Sequence, residues 1–74
     1  MKEKRKLPFN CFVGKNNEVI TNPYNGNSIL LKPDAVAVYD TIKGCELMNK
    51  WDLVRKGLDW FRKYEPKAYF ILLD

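Results

Sequence analysis

The chain has 74 residues, no His, two Cys, and a formal net charge of +4 from 13 Lys and Arg against 9 Asp and Glu. That length makes one domain, and a domain of this size buries only about 60% of the surface its unfolded chain exposes. Without His the commonest general base is missing, and Cys11 and Cys45, outside any C-x-x-C pair, form neither a zinc pattern nor a disulfide framework.

In chain order, residues 1–6 are a basic arm carrying Lys2, Lys4, Arg5 and Lys6, and residues 7–74 are a single small domain. The arm reads either as a solvated terminus or as a contact for phosphate or an acidic partner. It runs into Leu7-Pro8-Phe9-Asn10, which is no apolar signal core. The expectation is an intracellular protein with reduced thiols.

Three short β-prone runs come next: Phe9 to Val13, Glu18 to Thr21 and Ser28 to Leu31. Gly14-Lys15-Asn16-Asn17 separates the first two, and Asn22-Pro23-Tyr24-Asn25-Gly26-Asn27 separates the second and third. Asn-Pro opens turns, and Asn-Gly is a strong hairpin signal. A hairpin or a three-strand meander fits, and it needs helices to lie on.

Lys32-Pro33-Asp34 starts a helix, with Pro suited to the first turn and Asp to the positive end of the dipole. Ala35, Val38, Tyr39, Ile42 and Cys45 repeat at helical spacing, and Asn49-Lys50 is the expected joint. A second helix covers residues 51–64 with two adjacent apolar stripes, Trp51, Val54, Leu58, Phe61 and Leu53, Gly57, Trp60, Tyr64. Gly57 between them implies the close approach of another backbone. Asp52 and Asp59 stand where Arg55, Lys56, Arg62 and Lys63 can pair with them along the helix.

Pro66 ends that helix. Residues 66–73 are then a short buried helix or a strand joining the ribbon, and Pro66 at the first turn favours the helix. The apolar run Ala68 to Leu73 is too short to span a membrane. The fold class is α+β: an N-terminal hairpin or small antiparallel meander packed on two main helices and a short C-terminal helix. The expected core is Phe12, Val19, Ile20, Ile29, Leu31, Val38, Ile42, Val54, Leu58, Phe61, Phe70 and Leu73.

Nothing in this pattern carries a reaction. Cys11 lies among Phe9 and Phe12, an apolar setting that disfavours a thiolate. The scattered glycines make no phosphate loop. The reading is a non-enzymatic chain with no cofactor, no metal and no small-molecule substrate, directed at another protein or at itself. Four Phe, four Tyr and two Trp are a heavy aromatic load for this length. Trp51 and Trp60, with Tyr24 and Asn25 in the Asn-rich loop, are the candidate partner-binding residues. The alternative is a nucleic-acid binder using Lys2, Lys4, Arg5 and Lys6 with Arg55, Lys56, Arg62 and Lys63, although Asp52 and Asp59 interrupt that stripe.

Three stretches also carry a resemblance. Asn22-Pro23-Tyr24-Asn25-Gly26, then Lys32-Pro33-Asp34-Ala35-Val36-Ala37-Val38-Tyr39-Asp40 with Ile42-Lys43-Gly44, and Gly57-Leu58, Trp60-Phe61-Arg62 with the closing Leu72-Leu73-Asp74, are similar to small tailed-bacteriophage proteins without an assigned activity. The resemblance implies a setting, the host bacterial cytoplasm or the virion, and no functional residue.

Overall fold

The computed structural model describes residues 5–73. Two strands, β1 (Glu18–Thr21) and β2 (Ser28–Leu31), form an antiparallel hairpin in which Glu18 faces Leu31 and Thr21 faces Ser28. Helices α1 (Pro33–Leu47) and α2 (Trp51–Tyr64) follow and pack on each other. A short α3 (Pro66–Ala68) runs directly into a π-helical turn, Tyr69–Leu73, so the C-terminal segment is helical. The run Phe9 to Val13 is not a strand; it crosses the helices as irregular chain.

The connections are those the turn chemistry dictates. Gly26 takes φ +75° in the hairpin loop, and its N–H donates to the Asn22 carbonyl at 2.8 Å. The Asn22 side chain does more than make a turn. Its Oδ1 accepts from the Tyr24 N–H at 2.9 Å, and its Nδ2 donates to the Ile71 carbonyl at 2.9 Å. Ile71 lies in the last turn, where carbonyls lack partners within the helix, so a loop residue caps the C-terminal segment.

Between α1 and α2 the chain turns in three residues. Asn49 is left-handed at φ +58°, a conformation Asn tolerates. The Lys50 N–H donates to the Cys45 carbonyl at 2.8 Å and the Asn49 N–H to the Glu46 carbonyl at 3.2 Å, which is a Schellman closure. The Lys50 carbonyl then accepts from the Leu53 and Val54 N–H groups, opening α2. Pro66 ends α2, because it has no N–H to continue the helix and its ring drives Glu65 out of helical geometry (φ −139°, ψ 60°); the Glu65 N–H still donates to the Phe61 carbonyl at 2.8 Å.

The core is formed by Leu31 of β2, by Ala35, Val38, Ile42 and Cys45 on one face of α1, by Val54, Trp60 and Phe61 of α2, and by Ala68 and Leu72. Val36 and Ala37 are buried as well, because residues 12–18 pass over that side of α1. Phe12, Val19 and Phe70 are exposed, contrary to the sequence reading. Val19 faces Leu30 on the outer side of a two-stranded sheet that has no second layer. Ile20, Ile29, Leu58 and Leu73 sit at the core margin, half-buried. Gly57 does mark a close approach, but to side chains. A Cβ there would overlap the end of Ile42 and lie 3.3 Å from the Phe9 ring.

Candidate functional site

The residues singled out from the sequence separate into two groups. Trp60 is buried: it is 5% exposed, with Phe61 edge-on at 5.3 Å between ring centroids. Its indole N–H donates to the Lys6 carbonyl at 2.7 Å, which satisfies the one polar atom a buried tryptophan brings. Asn25 is spent locally, its Oδ1 accepting from the Asn27 N–H at 2.9 Å. Tyr24 stands at the loop tip, 94% exposed.

Trp51 is open. It is the first residue of α2 and is 54% exposed, and it follows Leu47 (87%) and Met48 (61%) across the three-residue turn. All three stand at the joint between α1 and α2, within five residues of chain. The Lys50 backbone holds the ends of both helices there, so the main chain that carries them is fixed. Beside the joint lies an open depression of about 490 Å³ lined by Asn49, Lys50, Trp51, Asp52, Leu53 and Lys56. Sequence periodicity placed Trp51 on the α2 stripe with Val54 and Phe61. The helix begins at Trp51, beyond the end of the packed face, and leaves it outside.

The basic residues are dispersed. Lys2 and Lys4 lie outside the described residues. Arg5 is turned inward. Its Nε donates to Asp34 Oδ2 at 2.8 Å and its Nη2 to Asp34 Oδ1, while its Nη1 donates to Glu65 Oε2 at 2.7 Å and to the Tyr64 carbonyl at 3.4 Å. The guanidinium also lies over the Trp60 ring at 4.8 Å and the Tyr64 ring at 5.8 Å. The Arg5 hydrogen bonds hold the Asp34 carboxyl below its ordinary range, against the opposing effect of burial. The Arg5 guanidinium is stabilised in its charged form chiefly by the Asp34 hydrogen bonds. Four of the five guanidinium N–H groups are engaged, two of them in a bidentate fork on Asp34, so Arg5 is committed to the fold.

Lys6, Lys56 and Lys63 line a shallow cleft of about 310 Å³ between the N-terminal segment and α2, floored by Leu7, Pro8, Trp60 and Tyr64. Asp59 shares that cleft and pairs with Arg62 at 3.4 Å, so negative charge divides the cations of α2 into two rows. Arg55 is exposed on the same helix. Burial pushes the Cys11 thiol up, with the Asp34 charge adding to it, so neither contribution favours a thiolate.

No family model, curated protein or solved structure matches the chain. The arrangement itself decides what the surface can do. Among the described residues, Asp34 and Glu65 are the carboxylates brought together, and both are bound to Arg5. No helix among them is long and apolar enough to cross a membrane. Phe12, Val19, Leu30 and Phe70 are exposed as well, but Leu47, Met48 and Trp51 bring three large apolar residues, one of them a tryptophan, within five positions of the chain.

Proposed function

We propose that this chain is a small non-enzymatic interaction module that docks on another protein through Leu47, Met48 and Trp51 at the joint between α1 and α2. The observation that carries this is the exposure of three large apolar side chains within five residues of chain on a rigid joint. Singly exposed apolar residues are ordinary, whereas a cluster with a tryptophan in it is the composition of an interface centre. The bacteriophage resemblance supplies the setting: an accessory or virion protein, or a modulator of a host protein.

Capture from a bacterial lysate tests this reading. Tagged parent protein is expected to retain a discrete partner, or to self-associate by light scattering. Leu47→Ser combined with Trp51→Ala is expected to lose that association while its circular dichroism and melting stay within about 0.5 kcal/mol of the parent. A monomeric parent that retains nothing, or a double variant that binds as well as the parent, refutes the reading.

A second reading, nucleic-acid binding, is favoured by the convergence of Lys6, Lys56 and Lys63 on one cleft with an apolar floor. It requires affinity for DNA or RNA that falls steeply with salt. Absence of retention on DNA at low ionic strength removes it.

A further inference from the structure

We propose that residues 5–13 form a detachable strap, which opens as a unit while α1 and α2 remain folded and is pinned shut by Arg5. Residues 5–17 contain no helix or strand, and among the described residues no backbone-to-backbone hydrogen bond ties this stretch to the rest of the chain. What holds it is made almost wholly of side chains. Arg5 grips Asp34 at the start of α1 and Glu65 beyond the end of α2, and Leu7, Phe9 and Cys11 rest half-buried on the core. The strap backbone contributes one acceptor, the Lys6 carbonyl, to the Trp60 indole N–H.

The body closes without the strap. Lys50 links α1 to α2, the strands pair with each other, and Asn22 ties the hairpin loop to the Ile71 carbonyl. None of these bonds passes through residues 5–13. Segments with few backbone bonds and few buried apolar contacts open at low free energy, well below that of global unfolding. At the far end, Gly14 has open space around its α-carbon, which suits residues 14–17 to act as the hinge. Opening withdraws Phe9 from the α2 surface at Gly57 and uncovers the indole of Trp60. Opening also parts Arg5 from the two carboxylates it holds, Asp34 and Glu65.

Hydrogen exchange followed by NMR on the full chain tests the strap. The Trp60 indole proton reports its release, and the amides of Ile42 and Phe61 report unfolding of the body. In the parent the indole proton is expected to be at least tenfold less protected than those amides. In Arg5→Gln its protection is expected to fall a further tenfold or more while the Ile42 and Phe61 amides keep theirs. Equal protection of indole and helix amides in the parent means that the strap opens only when the whole domain does, and overturns the proposal. So does an Arg5→Gln variant that moves both sets together, or one that leaves the indole proton unchanged. Should Arg5→Gln not fold, raising salt on the parent serves instead. Screening is expected to loosen the indole proton selectively, and a uniform or absent response overturns the proposal.

Discussion

Substituting alanine for Gly57 tests the contact that seats α1 against α2, and the same substitution at Gly44 is its control. In a helix interior Gly→Ala stabilises by about 1 kcal/mol, because the unfolded chain loses freedom and the helix gains a better former. At Gly44 an added Cβ meets nothing within 4 Å, so most of that gain is expected to appear. At Gly57 the Cβ would sit 2.6 Å from Ile42 Cδ1, nearer still to Cγ1, and 3.3 Å from the Phe9 ring. Ile42 has no exposed surface, and a β-branched side chain in a helix has one favoured χ1, so it cannot swing aside. Overpacking of this kind costs about 1–3 kcal/mol. The helix-propensity gains largely cancel between the two variants, so the difference between them is close to the overpacking cost. It corresponds to a separation in Tm of about 4–8 °C per kcal/mol for a domain this small. Urea unfolding followed by far-UV circular dichroism measures it, with equal slopes confirming that only stability has changed. Adding Ile42→Val, which removes Cδ1, should cost less in the Gly57→Ala background than the about 0.5–1.5 kcal/mol it costs alone. If Gly57→Ala unfolds at the same urea concentration as Gly44→Ala or higher, the close approach at Gly57 is wrong.

The remaining predictions concern the Arg5 pin, the core and the loop cap. Because Asp34 is held below its ordinary range in the folded state, its contribution to stability is complete above about pH 4 and is lost as pH falls through the lowered value. Asp34→Asn should therefore cost about 1.5–3 kcal/mol at pH 7 and flatten the acid limb of the stability profile; urea midpoints between pH 7 and pH 2 that parallel the parent would count against this. Phe61→Ala empties a position with no exposed surface and should cost about 3–5 kcal/mol, enough to leave the chain largely unfolded at 37 °C, where a cooperative melt resembling the parent would contradict the core placement. Asn22→Ala strips the Ile71 carbonyl of its donor and should lower stability by about 1–3 kcal/mol; a thermal melt that coincides with the parent's would show that the cap is idle.

The helices were legible because their signals are local. Pro33 and Asp34, the apolar spacing through Cys45, the Asn49-Lys50 joint and Pro66 each act within a turn of where they stand, and each element bears them out. The burial of Trp60 was not legible, because it depends on a carbonyl 54 residues away. Arg5 was hidden for a similar reason. Within a run of cations it reads as solvated, since nothing local reveals that Asp34 and Glu65, 29 and 60 residues distant, converge on it. Val19 and Phe12 are apolar residues in β-prone runs, but Val19 lies on the uncovered face of a two-stranded sheet and the run around Phe12 is no strand at all, and neither fact is written in the local sequence. Asn22 was recognised as a turn former, but its reach to Ile71 follows from where the C-terminal segment docks, which local sequence does not determine.

The peptide groups of Lys50 serve two helices at once, ending α1 through the N–H and beginning α2 through the carbonyl. With no slack residue at the joint, a one-residue insertion there would have to break one of these bonds. The mutual angle of the rods is thus set by main chain rather than by packing alone. Leu47, Met48 and Trp51 are accordingly presented preformed, and whatever meets them is spared the backbone ordering entropy that a floppy loop would lose on contact.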